Sequence, residues 1–357
     1  MRFLLDDEQR DFARSLDAML TAAGTPSAVR AWAAGDFGPG RELWARLAEA
    51  GVFALAIPEE YGGVGPLPVE LAVAFTELGR HAVPGPVVET VAAGVLLAGV
   101  GGAAAKEWLP RLASGAASAT LRMDGHGPYA LDADAVDAVF TVSGDELRLA
   151  PGPGALAVSA DPARRLLRPP SGGDSLASGP HVVRAAARAG EWAAFATAAQ
   201  ALGVGEALLR ATVDHVGRRT QFGTAIGSFQ AVKHRLADVL LGLEFARPLL
   251  YGAAVALAEG APDAGASVAA AKAAAGEAGY AAARAALQLH GAVGYTEELD
   301  LSLWLRKARP LRDAWGTPGA CRARVLAGPG DSSPAPEGTT GEARGTAGEA
   351  RGTAGGA

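Results

Sequence analysis

The side chains best placed to do chemistry fall in two short segments. The first opens as Arg218-Arg219-Thr220-Gln221-Phe222-Gly223 and runs on through Thr224-Ala225-Ile226-Gly227-Ser228-Phe229-Gln230-Ala231-Val232-Lys233-His234. The planar fork of an arginine donates paired, charge-assisted hydrogen bonds to an anion. Gly223 lets the chain turn tightly where a side chain would obstruct. The second is Gln288-Leu289-His290-Gly291-Ala292-Val293-Gly294-Tyr295-Thr296, followed by Leu305-Arg306-Lys307-Ala308. As bare motifs both have plainer readings: Arg219 as a solvated arginine at a helix end, Phe222 as a core side chain. His290, alone beside a glycine turn, reads as hydrogen-bonded scaffold.

Several other chemistries are excluded by composition. The single cysteine, Cys321, allows no intrachain disulfide and no cysteine-based zinc site. The 6 histidines are scattered and lack the H-E-x-x-H spacing of a helical zinc site. Lysine and arginine total 32 against 38 aspartates and glutamates, a net charge of -6, which argues against a non-specific nucleic-acid binder. Hydrophobic residues at 49% and charged residues at 20% supply a large core and exclude global disorder. The 48 glycines show no three-residue period, so a collagen-like chain is excluded. The N-terminus turns acidic at Asp6-Asp7-Glu8, unlike a secretory signal, and the apolar run 91–105 is short and glycine-rich, a buried helix and loop. The expectation is a cytoplasmic protein with no membrane span and no nucleic-acid partner.

The elements that must position the two segments follow from periodicity. Residues 1–115 read as a helical N-terminal domain, with Asp6 and Gln9 spaced as a capping box and a helix from Pro68 to Leu78 that Gly79 would stop. Residues 116–180 read as a reduced β domain: Ala138-Val139-Phe140-Thr141-Val142 and Glu146-Leu147-Arg148-Leu149 alternate across a Ser143-Gly144-Asp145 turn. Residues 181–327 return to helix, with Phe229, Val232, Leu236, Val239 and Leu243 forming a stripe that should face a core. The alanine-rich stretch 266–289 should let helices approach closely in an antiparallel bundle. Residues 328–357 repeat Gly-Glu-Ala-Arg-Gly-Thr-Ala and read as a disordered, low-complexity tail.

Helix, small β region, then bundle is an uncommon order, and with it the two segments resemble the acyl-CoA dehydrogenase family. Pro58-Glu59-Glu60-Tyr61-Gly62-Gly63 and Glu77-Leu78-Gly79-Arg80 add to the likeness. The resemblance implies a mainly α fold with a small middle β domain and a C-terminal four-helix bundle. It also implies FAD, an acyl-CoA substrate, an electron-transfer acceptor and an oligomer. The implied reaction is α,β-desaturation of the thioester, a carboxylate taking the α-proton and the flavin the β-hydride. By the same resemblance Arg219, Gln221, Phe222 and Gln230 fall at FAD-contacting positions, as do Gln288, Gly291, Ala292 and Thr317. Ala292 stands where the family usually has a second glycine.

The departures from the family are as informative. Many members carry the base in a Tyr-Glu-Gly-Thr segment; here the stretch is Ala314-Trp315-Gly316-Thr317, and the indole of Trp315 has no lone pair with which to take a proton. Members with the base in the first long bundle helix would have it at Ala193, and the nearby Glu191 lies about 200° round that helix from it. Read alone, Glu191 is a first-turn glutamate favoured by the helix dipole. The family's Thr-Glu-Pro-x-x-Gly-Ser-Asp-like segment has no counterpart in 116–180, and Arg184 and Arg188 are the nearest arginines to the position where one assists the CoA end.

In this family each FAD lies across a subunit interface, and the retained motifs are mainly those a neighbouring subunit contributes. The resemblance therefore points to the non-catalytic chain of a paired, heteromeric acyl-CoA dehydrogenase of the kind that actinobacteria use on steroid side chains and other bulky lipids. A homologous dehydrogenase subunit, in a heterodimer or heterotetramer, is the expected partner. A self-sufficient, self-associating dehydrogenase or oxidase using Glu191 or another carboxylate is the second reading. A non-enzymatic acyl-thioester-binding or scaffold protein is the third.

Overall fold

The computed structural model describes residues 4–328. The repeat-containing tail lies outside the described residues. The N-terminal part is six helices: α1 Asp7–Ala22, α2 Thr25–Ala33, α3 Gly38–Glu49, α4 Pro68–Arg80, α5 Val87–Val100 and α6 Gly102–Ala113. The capping box is present, with the Gln9 amide donating to Asp6 at 2.8 Å and the Asp6 amide to the Gln9 side chain at 3.1 Å. Gln9 also donates to Glu70 at 2.8 Å, which pins α1 to α4.

Gly79 does not stop α4, which continues to Arg80. A Cβ on Gly79 would overlap the Gln200 carbonyl, and one on Gly203 the Thr76 carbonyl. The glycines are there because two helix backbones touch, an across-space requirement that the local sequence reads as punctuation.

Seven strands follow: β1 Ala119–Met123, β2 Ala130–Leu131, β3 Ala138–Ser143, β4 Glu146–Leu149, β5 Ala155–Ala157, β6 Leu166–Arg168 and β7 Asp174–Ser178. They form one sheet in the order β1-β3-β4-β7 and a second in the order β2-β6-β5. β3 and β4 are the hairpin expected from the alternating runs, turning at Gly144, where φ is +58°. β1 is tied to α5 by Thr90, whose hydroxyl donates to the Ala119 carbonyl at 2.7 Å and accepts from its amide at 3.1 Å. One face of this region therefore lies against α5.

The last part is a bundle of α7 Pro180–Arg218, α8 Gln230–Glu259, α9 Ala264–His290 and α10 Leu301–Asp313, with α11 Pro318–Ala327 packed on α9. A short hairpin, β8 Thr220–Gln221 and β9 Thr224–Ala225, joins α7 to α8. The small residues act as expected: Gly205 of α7 and Gly279 of α9 let those backbones come into contact. The α8 stripe is only half realised. Val239 and Leu243 are buried, Val232 and Leu236 are partly covered, and Phe229 is exposed. The bundle of one chain leaves the first turns of α8 uncovered.

α7 and α8 are long and apolar enough to cross a bilayer by length and composition alone. The apolar window of α7 is 89% buried inside the fold, as befits a core helix, whereas that of α8 is 33% buried.

Candidate functional site

The two motifs meet at one end of the bundle. Phe222 and Gly223, with φ of +54° and +80°, form the two-residue turn between β8 and β9. Two left-handed residues in a two-residue hairpin loop match the twist of the strands. Glycine adopts this conformation freely and phenylalanine does so only under strain. The Phe222 ring is 94% exposed, so the core reading of this residue fails. The hairpin is closed by the Ile226 amide donating to the Arg219 carbonyl at 2.9 Å.

His290 binds this end together. Its Nδ1 donates to the Ala286 carbonyl at 2.8 Å, and its ring stacks on His215 of α7 with centroids 4.0 Å apart. Burial, then the neighbouring His290, holds the His215 imidazole below its usual range. The histidine is scaffold, as its context suggested, and it sets Gln288 and Gly291 beside the end of α7. Gly291 leaves α9 with φ +64° and ψ −140°, a conformation suited to glycine.

The donor set at this end is uncommitted. Arg219, Gln221, Gln230 and Gln288 are exposed, and among the described residues their side chains make no hydrogen bond. A guanidinium, three amides, an exposed ring and a glycine backbone suit the pyrophosphate and adenosine parts of a dinucleotide. Ala292 is exposed too, so its methyl meets no crowding from this chain. Thr317 lies elsewhere: it caps α11, its hydroxyl accepting from the Ala320 amide at 3.3 Å. Its turn is held against Lys272 of α9, and at 1.5 Å per residue Lys272 lies about 27 Å along that helix from His290. One chain does not gather all the expected dinucleotide contacts in one place.

The Trp315 turn is built with care. Buried Lys272 donates to the carbonyls of Arg312 at 2.9 Å and Gly316 at 3.0 Å, and burial lowers its ammonium pKa to about 8. Trp315 takes φ +56° and Gly316 φ +127°. The Trp315 indole donates to Glu89 Oε1 at 3.1 Å, and its ring lies 4.9 Å from that of His126. Burial, then Arg324, keeps the His126 imidazole below its usual pKa and so neutral at pH 7.

Beside this turn is a cavity of about 360 Å³ between α5, the β region and the end of α10. Glu89 and Arg164 line it, only 3% and 9% exposed. Among the described residues Glu89 Oε2 has no hydrogen-bond partner. Sequence reading missed both. Glu89 carried a signal, a lone carboxylate in the apolar run from Val87 to Leu97; Arg164 carried none. Glu191 is not among the residues that line this cavity, and it is ion-paired with Arg324 of α11. Arg184 and Arg188 are exposed, and Arg188 lines a second cavity of about 190 Å³ beside Trp192.

This architecture and the motif-bearing bundle place the chain in the acyl-CoA dehydrogenase family. The family's N-terminal domain matches residues 6–116 and its C-terminal domain residues 183–327. The chain is 37% identical over 312 residues to acyl-CoA dehydrogenase IpdE2 of Mycobacterium tuberculosis, covering 84% of this chain and 91% of that one. Among solved structures it is similar to the ChsE4-ChsE5 complex of Mycobacterium tuberculosis, with a TM-score of 0.75, 25% identity and coverage of 92% and 98%. It is also similar to a variant of the steroid acyl-CoA dehydrogenase Tcur3481-Tcur3483, with a TM-score of 0.79, 25% identity and coverage of 90% and 97%.

Proposed function

We propose that this chain is the base-lacking subunit of a heteromeric, FAD-dependent acyl-CoA dehydrogenase acting on a bulky acyl-CoA such as a steroid or other lipid thioester. The observation that carries the reading is the uncommitted donor set at the bundle end. Arg219, Gln221, Gln230 and Gln288 are presented to solvent, while Trp315 stands bonded to Glu89 where the base belongs. Arg219 would hold the pyrophosphate of a partner's FAD, and the amides would orient the rest of its dinucleotide. The chemistry FAD supplies when bound is acceptance of the β-hydride, for later passage to an electron-transfer acceptor. Thr317, far along α9, would serve a different copy of the cofactor from the one that Arg219 meets. That division suits a site shared between chains.

The surface agrees with assembly. Leu240, Leu241, Phe245 and Leu249 present an apolar face on α8, with Phe245 71% exposed. A contiguous apolar strip of this kind on a helix marks an interaction face. Cytoplasmic placement is part of the proposal.

Co-expression with a base-carrying homologue tests the reading. Expected are a two-chain particle, stoichiometric flavin and acyl-CoA-dependent flavin reduction, with neither chain active alone. Active, flavin-loaded homomers of this chain would overturn it. Glu89 favours a second reading, in which this chain abstracts the proton itself, because its free Oε2 lies beside the family's base position. Glu89→Gln in the assembled enzyme separates the two: retained turnover supports the first, lost turnover the second.

A further inference from the structure

The C-terminal end of α4 carries a ligand pair at the spacing of a helical metal site. Glu77 and His81 are four residues apart, so their side chains leave the same face of the helix. The His81 amide donates to the Glu77 carbonyl at 3.1 Å, which keeps the histidine in register with that face. Asp17 of α1 meets them from across the helix pair, its Oδ1 2.8 Å from His81 Nε2. One ligand atom from each of the three lies within 4.8 Å of the others. Glu77 is 3% exposed and His81 9%, while the Asp17 side chain is half-exposed. Arg80 bonds Glu77 Oε1 and is shared with Glu206 of α7 at 2.6 Å, so Asp17 and Glu77 together keep a net negative charge. Glu77 Oε2 is buried and has no hydrogen-bond partner among the described residues. A buried carboxylate oxygen without a donor is costly, and a second carboxylate beside it adds repulsion.

We propose that Asp17, Glu77 and His81 bind a divalent transition-metal ion of the zinc type. An imidazole with two carboxylates is a donor set for Zn²⁺, with water in the fourth position, whereas calcium and magnesium take oxygen ligands. The two carboxylates balance the charge of the ion. His81 Nε2, which faces Asp17, gives its lone pair to the metal, and the ring proton sits on Nδ1. Bonds of ~2 Å in a tetrahedron set neighbouring donors ~3.3 Å apart. Donors already within 4.8 Å reach that spacing by side-chain rotation, without movement of α1 or α4. The Arg80 bond to Glu77 Oε1 holds the carboxylate so that Oε2 is the oxygen left for the ion. The ion clamps α1 to the last turn of α4, and the Gln9–Glu70 bond already joins α1 to the first turn. None of the three ligands lines either cavity or belongs to the dinucleotide-contacting segments. The site goes beyond the subunit role proposed above and does not depend on it.

The test uses the full chain alone, stripped of metal by a chelator and with neither flavin nor partner, so its outcome is independent of dehydrogenase activity. Isothermal titration with Zn²⁺ should show a single saturable site, and a ~100-fold excess of Mg²⁺ should not compete for it. His81→Gln and Asp17→Ala should each weaken Zn²⁺ binding ~10-fold or more. His234→Gln, which changes an exposed histidine outside the cluster, should leave it unaltered. Saturating Zn²⁺ should raise the melting temperature of the wild type and not that of His81→Gln. Asp17→Ala changes a half-exposed side chain, so it spares the fold and keeps the test valid where His81→Gln unfolds the chain. No saturable binding up to ~1 mM Zn²⁺, or wild-type affinity in the folded Asp17→Ala variant, would overturn the proposal.

Discussion

Asp132→Asn should make this protein less sensitive to pH, and the structure sets the size of the effect. Asp132 follows β2, fully buried, with φ +52°, a left-handed conformation that asparagine also tolerates. Its Oδ1 accepts from the Trp32 indole at 3.0 Å and the Arg165 amide at 3.2 Å, while Oδ2 has no partner among the described residues. Desolvation outweighs those two bonds and raises its pKa from 3.8 to about 7. Below 3.8 the folded and unfolded chains both hold the proton, so the group adds no pH dependence. Between 3.8 and about 7 the unfolded chain ionises while the folded one stays protonated. Over that interval rising pH removes ~1.4 kcal/mol of stability per unit. From about pH 4.5 to about pH 8 the wild type should therefore lose ~3 kcal/mol relative to Asp132→Asn, which keeps an acceptor for Trp32 and cannot ionise. Urea unfolding of both proteins across that range measures the difference directly. Parallel stability curves would refute the reasoning, because they would mean that the buried carboxyl titrates as it does in the unfolded chain.

Three further outcomes follow from the geometry. Gly79→Ala should destabilise the chain by ~1–3 kcal/mol, since its methyl would meet the Gln200 carbonyl; thermal or urea unfolding checks this, and a neutral result would show that α4 and α7 separate easily. Arg219→Gln should leave circular dichroism unchanged but weaken FAD retention in the assembled enzyme by ~10–100-fold, read from flavin fluorescence on dilution. Glu191→Gln should leave turnover of the assembled enzyme intact and cost at most ~1 kcal/mol, as expected for a partly exposed ion pair with Arg324. Lost turnover there would restore Glu191 as the base.

The sequence by itself determined what is local. The Asp6–Gln9 cap, the β3–β4 hairpin around Gly144 and the glycine-assisted turn at Phe222-Gly223 each follow from the conformational preferences of a few adjacent residues. Helix, sheet and bundle order was legible for the same reason, because periodicity is written along the chain. The family motifs were legible because they are contiguous. Tertiary structure decided whatever depends on residues far apart in sequence. It assigned Gly79 to a helix crossing, paired Glu191 with Arg324, and left half of the α8 stripe facing outward. It also joined Trp315 to Glu89, 226 residues away. No local pattern records those relations, since hydrogen bonds and burial are fixed by distance in space, and only the packed chain sets that distance.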